Sequence, residues 1–289
     1  MHIWTRGWRL GLVGAALLVL TGGWAWAAAD KPAVRKAKAN AQPDGARLDA
    51  FWQRARETAY KSPAELAAQH AHEVRLGVRY AKLLRGDTKS PAIALTFDDG
   101  PHPEYTLKLL AILRKYHVKA TFFVVGELAE QRPELIRAEV AEGHLVGDHT
   151  YHHVNLTKIP FGEIATEWEA GREVIESITG QPVRYCRPPG GDYDKEVITA
   201  ATDLGLTTVL WTDDPGDYAS PGAKLIEKRV LEFVSNGGIL LLHDGIQQTI
   251  DILPQLIETL QRRGFRFVTV DELATGLGAR LPSARRRGG

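Results

Sequence analysis

Four of the ten histidines stand within one short stretch, at positions 144, 149, 152 and 153. His149 and His153 are four apart, so a single helical turn would set both rings on one side. Neutral imidazole is the commonest metal ligand among side chains that titrate near neutrality. A carboxylate is at hand upstream, in Thr96-Phe97-Asp98-Asp99-Gly100-Pro101, where two adjacent acids leave an apolar run and a Gly-Pro turn halts the chain. Two nearby carboxylates repel unless a cation or an arginine separates their roles. Two histidines and one carboxylate leave coordination positions open, as a catalytic rather than a structural metal site requires. The same ligand set also holds iron in oxygenases.

Three further segments carry reactive side chains: Arg187-Pro188-Pro189-Gly190-Gly191, Asp214-Pro215-Gly216-Asp217-Tyr218 and Leu241-Leu242-His243-Asp244. An arginine fixed at a strand end can orient a carboxylate through two hydrogen bonds. An aspartate beside a histidine fixes its tautomer and raises its pKa, which keeps it protonated as a general acid. The bland alternatives are a loop-capping Asp pair, a set of surface histidines and a satisfied core histidine at 243. His144 falls among the surface histidines because it precedes its run, and His152 either supports the site or faces solvent.

The elements that must position these groups follow from periodicity. Strand-like runs are expected at 92–97, 120–125, 145–147, 183–186, 208–211, 239–242 and 265–270. Helical patterns lie between them, notably at 105–116, 164–178 and 250–260. Seven strands alternating with helices argue for a parallel sheet with helical crossovers. Runs such as Ile239-Leu240-Leu241-Leu242 suit strands buried on both faces. An open doubly wound sheet and a barrel both fit. No G-x-G-x-x-G turn follows a strand, which disfavours dinucleotide binding. The reactive residues sit at one place in this rhythm, just after strands. In parallel α/β folds those strand ends converge on the face that hosts the active site.

The 289 residues suit one large α/β domain or two small ones, and 44% apolar with 25% charged residues is ordinary for a globular chain. A net charge of +1 gives no field that would draw nucleic acid. The single cysteine, Cys186, rules out an internal disulfide and reads as a buried, inert thiol. No internal repeat is present. At the N-terminus, Arg6 and Arg9 precede an apolar run at 10–20, Thr21-Gly22-Gly23 breaks it, and Ala25-Trp26-Ala27 or Ala27-Ala28-Ala29 offers small residues at cleavage spacing. This describes a secretory signal peptide over 1–29, or a membrane anchor, since 10–29 is just long enough to span about 30 Å of hydrocarbon. Either places the rest of the chain outside the cytoplasm, in the periplasm, secreted, or anchored to the inner membrane. A linker at 30–45 follows, then a helical segment at 46–88. There Ser62-Pro63-Ala64-Glu65 forms a capping box and opens a helix to about Leu84. The catalytic domain is expected at 89–278 and a basic tail at 279–289.

Taken together, five segments resemble the five motifs of the polysaccharide deacetylases, the NodB-homology domain of carbohydrate esterase family four. They are Thr96-Phe97-Asp98-Asp99-Gly100-Pro101, His149-Thr150-Tyr151-His152-His153, Arg187-Pro188-Pro189 with Gly191, Asp214-x-x-Asp217-Tyr218, and Leu241-x-His243. The resemblance runs from about Ala92 to Leu273. It implies a distorted (β/α) barrel of about seven parallel strands, preceded by the short helical segment. It also implies one divalent metal ion, zinc first, with cobalt, nickel or manganese as alternatives. By the resemblance Asp98 is the general base, Asp99, His149 and His153 are the metal ligands, Arg187 orients Asp98, and Asp217 tunes His243, the general acid. Pro189, Gly190, Gly191, Tyr218 and Leu241 then line the substrate groove, with the Gly190 N–H helping to bind the oxyanion. The chain departs from the family's pattern at Gly190, usually aromatic, and at Tyr218, usually Trp. The implied activity is removal of N-acetyl groups from N-acetylglucosamine units of peptidoglycan, chitooligosaccharide or exopolysaccharide by a monomer with a glycan substrate. An O-acetyl xylan esterase and a non-catalytic glycan-binding module of the same fold are the alternatives.

Overall fold

The computed structural model describes residues 51–55 and 57–276. All belong to one compact unit, Pro43–Gly289. The expected signal peptide or anchor, the linker and the basic tail lie outside the described residues. No helix among the described residues is long and apolar enough to cross a membrane.

Eight parallel strands form a single curved sheet: β1 (Lys82–Leu83), β2 (Ala92–Gly100), β3 (Thr121–Val124), β4 (Leu145–Asp148), β5 (Tyr185–Cys186), β6 (Thr207–Val209), β7 (Ile239–His243) and β8 (Arg266–Val268). Their order is β1-β6-β5-β4-β3-β2-β7, and β8 pairs with the start of β2. This is the open barrel the resemblance implies, with one strand more than the sequence predicts. The extra strand is β1. The predicted helix to Leu84 ends at Arg75, so α1 is Pro63–Arg75, capped by Ser62 and Glu65 as expected. Lys82-Leu83 instead adds to β6 in register with Thr208 and Val209. Lys82 also reaches Glu73 and the Tyr193 hydroxyl, partners that no local pattern reveals.

All nine residues of β2 are buried. It lies between β3 and β7, with Thr96 level with Thr121 and with Leu241. A strand buried on both faces must be apolar along its length, and Ala92, Ile93, Ala94, Leu95 and Phe97 are 0–2% exposed. Helices cover the outside, among them α2 (Tyr105–Lys115), α3 (Gly126–Gln131), α4 (Pro133–Ala141) and α5 (Phe161–Thr179). Burial on α2 falls on Thr106, Leu109, Leu110 and Leu113, the one-sided stripe of a helix laid on a sheet. α5 carries Gly171 where it crosses the end of β4. A Cβ there would overlap the Asp148 carboxylate and come within 3.1 Å of the Thr150 carbonyl carbon, so glycine allows the close approach.

Candidate active site

Asp98 and Asp99 share a site although neighbouring strand residues point to opposite faces. The pairing of β2 with β3 slips between Asp98 and Gly100, and Asp99 takes a left-handed backbone with φ of 68°. This bulge turns the second carboxylate toward the first. Asp98 stays in register with His243 on β7.

His149 and His153 also converge, but not by the predicted helical turn. Residues 149–153 form a loop beyond β4, with positive φ at Thr150 (65°) and His153 (56°). The Thr150 hydroxyl accepts from the His153 N–H at 2.9 Å. His149 Nδ1 lies 2.7 Å from the Arg187 carbonyl, so Nδ1 carries the proton and Nε2 presents its lone pair. Asp99 Oδ1 lies 3.4 Å from His149 Nε2 and 3.0 Å from His153 Nε2. All three atoms are buried and without a hydrogen-bond partner among the described residues. Three such acceptors aimed at one point fit a cation. Burial pushes the Asp99 carboxyl up, but the imidazoles of His153 and His149 win and hold it well below the usual carboxylate range.

Arg187 leaves β5 and is fully buried. Its Nη1 donates to Asp98 Oδ1 at 2.6 Å and to Thr96 Oγ1 at 2.9 Å. Its guanidinium carbon lies 4.1 Å from the Phe123 ring centre. Burial lowers its pKa, and the Asp98 charge opposes that. Asp98 Oδ2, the oxygen Arg187 leaves alone, faces His149 Nε2 at 3.7 Å.

The partner of His243 is Asp217, not the adjacent Asp244. Asp217 Oδ1 lies 2.7 Å from His243 Nδ1, and Oδ2 accepts from the His243 N–H at 2.8 Å and from Thr249 Oγ1 at 2.6 Å. Burial would lower the His243 pKa, but the Asp217 carboxylate overrides it and raises it to about 9. Asp244 instead takes the Thr106 hydroxyl and the His102 N–H, and burial lifts it to about 7. Asp214 accepts from the Gly216 N–H at 2.8 Å, and its pKa is also raised by burial.

The remaining predicted residues fall around this centre. Leu241 is fully buried, two positions before His243 on β7 and so on the same strand face. Pro189, Gly190 and Gly191 make a short 3₁₀ turn with φ of 67° and 70° at the glycines. A Cβ on Gly191 would stand 2.5 Å from the Trp211 ring. Tyr218 is half-buried, its ring centre 5.5 Å from that of His243. One predicted placement is corrected. His144 is buried rather than on the surface, with Nδ1 accepting from the Ala120 N–H at 3.1 Å, and burial lowers its pKa to about 4. His152 keeps a largely exposed ring whose Nδ1 meets Glu167 Oε1 at 2.6 Å.

Sequence reasoning missed one residue. Tyr60, in the helical segment at 46–88, extends its hydroxyl to 3.4 Å from Asp99 Oδ2. The available signal was Gly190: where an aromatic is replaced by glycine, another part of the chain can fill the space.

Residues 85–209 match the polysaccharide deacetylase family. A peptidoglycan-N-acetylglucosamine deacetylase of Bacillus cereus is 38% identical over 186 residues, covering 63% of this chain and 87% of that one. A chitooligosaccharide deacetylase of Sinorhizobium fredii is 38% identical over 195 residues, covering 63% and 91%. The crystal structure of the Bc1960 peptidoglycan N-acetylglucosamine deacetylase, in complex with an N-oxidanyl-benzamide, superposes with a TM-score of 0.66 at 34% identity, covering 68% of this chain and 94% of that one.

Proposed function

The chain belongs to the polysaccharide deacetylase family, and on that premise we propose that it is a metal-dependent polysaccharide N-deacetylase, releasing acetate from N-acetylglucosamine units of peptidoglycan or a chitooligosaccharide outside the cytoplasm. One observation carries the reading. Asp98 Oδ2, Asp99 Oδ1, His149 Nε2, His153 Nε2 and His243 Nε2 are all buried with no hydrogen-bond partner among the described residues. Five buried reactive atoms left unsatisfied are costly, and such cost is ordinarily met by a ligand or by chemistry.

Asp99, His149 and His153 would hold the ion, zinc suiting a nitrogen-rich set with open positions. When bound, a divalent cation acts as a Lewis acid and lowers the pKa of water to about 7. Asp98, fixed on one oxygen by Arg187, offers the other as base to the water that attacks the acetamide carbon. The Gly190 N–H donates to the oxygen on which negative charge grows, a preorganised contact worth roughly 3–4 kcal/mol. The C–N bond breaks only if the departing amine receives a proton, because it is too basic to leave as an anion. His243, held charged by Asp217, donates it from Nε2. Acid and base assistance contributes typically about 10²–10⁴ in rate. Leu241 and Tyr218 would form the apolar wall for the acetyl methyl.

The test is acetate release from peptidoglycan, chitooligosaccharides and acetylated xylan, with and without a chelator. Chelator-sensitive release from an N-acetylated glycan is the expected result. Release from xylan alone would make the protein an O-acetyl esterase. Release from none, with glycan binding intact, would make it a binding module.

A further inference from the structure

The reacting atoms lie under cover. Asp98 is 1% exposed, Asp99 4% and His243 1%, so in this arrangement a sugar's acetamido group cannot reach them. What stands over them is Tyr60. Its ring centre is 4.3 Å from that of Tyr218 and 4.9 Å from that of His243, and its hydroxyl points to Asp99 Oδ2 at 3.4 Å. A side chain that merely lined the groove would touch one of these. Tyr60 touches the acid, a metal-ligand carboxylate and the apolar wall at once.

We propose that Tyr60 occupies the place of the substrate's acetamide, and that residues 57–60 are a strap that must lift for turnover. The proposal rests on the functional reading above for where the acetamide sits. The substitution at Gly190 is part of the device. A Cβ there would stand 2.5 Å from the Ala59 carbonyl oxygen and 3.3 Å from Thr58 Cγ2, so the aromatic usual in the family would expel the strap. Gly190 instead lets the backbone close down.

Both ends of the strap are fastened. Downstream, the Lys61 N–H donates to the Gly190 carbonyl at 2.9 Å, and Trp211 Nε1 donates to the Lys61 carbonyl at 3.1 Å. Ser62 then opens α1, anchored by fully buried Leu66. Upstream, Glu57 and Thr58 turn back onto the carbonyls of Arg54 and Ala55. There Phe51 and Ala55 pack on Val125 and Leu128. The middle is held loosely. The hydroxyl contact at 3.4 Å exceeds the usual 2.5–3.0 Å of an O–H···O bond. Ala59 is exposed. A closed strap lowers apparent substrate affinity by the fraction of molecules that are open.

The zinc-loaded full chain can be tested with acetohydroxamate, a small zinc-binding analogue of the acetamide. Tyr60→Ala should bind it about tenfold more tightly than wild type and raise kcat/KM on an N-acetylated chitooligosaccharide by a similar factor, corresponding to a closed state dominant by about ten to one. Tyr60→Phe keeps the ring and should stay near wild type. In wild type, amide hydrogen exchange at residues 57–60 should speed up when acetohydroxamate binds, a readout that does not depend on how the variants fold. Weaker binding by Tyr60→Ala, slower exchange at 57–60 in the complex, or no binding to either protein overturns the proposal. Should the hydroxamate results come out as expected while no glycan releases acetate, the strap stands and the deacetylase reading fails alone.

Discussion

Asp217 grips His243 twice, through the ring at 2.7 Å and through the backbone N–H at 2.8 Å. The first contact sets the charge and the second sets the position. Because the folded pKa of about 9 lies above the ordinary 6.5, charged His243 adds stability that is complete below pH 6.5 and lost as pH rises through about 9. On the proposed mechanism activity needs the same proton, so the rate should fall on the alkaline side, at a pH that a bound cation would draw below 9. Asp217→Asn removes the charge that raises the pKa. The alkaline limb of kcat should then move to lower pH, by at least about one unit if the Coulombic part dominates. A pH–rate profile of both proteins checks it, and coincident limbs would detach Asp217 from the acid.

Asp98→Asn keeps the shape and an acceptor for Arg187 but removes the base. Acetate release should drop by about 10²–10⁴, with the circular dichroism spectrum and bound zinc unchanged. Equal release by the variant and wild type would mean the base is elsewhere.

His153→Ala takes away one of the three proposed ion ligands. Zinc affinity, measured by competition with a chromogenic chelator, should weaken by at least about tenfold, the low end of what even outer-shell contacts contribute. In wild type a chelator should stop acetate release and added zinc or cobalt should restore it. Activity indifferent to chelation would remove the ion from the mechanism.

Arg187→Met conserves bulk in the barrel centre but strands the Asp98 carboxylate among apolar neighbours. Breaking a buried pair from one side costs about 3–5 kcal/mol. Urea denaturation should show that loss at neutral pH.

Gly171→Ala runs against ordinary helix propensity, by which alanine is better by roughly 0.5–1 kcal/mol. Here the new methyl would overlap the Asp148 carboxylate, one residue before His149. Overpacking of this kind costs about 1–3 kcal/mol. The variant should melt lower than wild type and bind zinc more weakly, since the displaced loop carries both imidazoles.

The strands, and the loops after them that bring the candidate residues together, were legible because each signal was local. An apolar run such as Ile239-Leu240-Leu241-Leu242 fits only a doubly covered strand, and a reactive residue just after it lands on the strand-end face. What escaped was set by distant contacts. Lys82-Leu83 is a strand because β6 offers an edge and Glu73 and Tyr193 receive the ammonium. The imidazoles at 149 and 153 meet through two left-handed residues, which side-chain spacing does not encode. That Asp217 serves His243 was legible only through the motif resemblance, because a turn beyond β6 folds back onto β7. Tyr60 lies 39 residues from Asp99, beyond the reach of any periodic pattern.

Strand β2 pairs with three neighbours and carries both carboxylates, so the chemistry is rooted in the least replaceable part of the molecule. Thr58 and Ala59, by contrast, are partly or fully open to solvent, and few packing contacts constrain their identity. Mutations can therefore be sampled there with little penalty to the barrel. Descendants of this protein could shift which glycan they accept, or when, while inheriting the same reacting groups untouched.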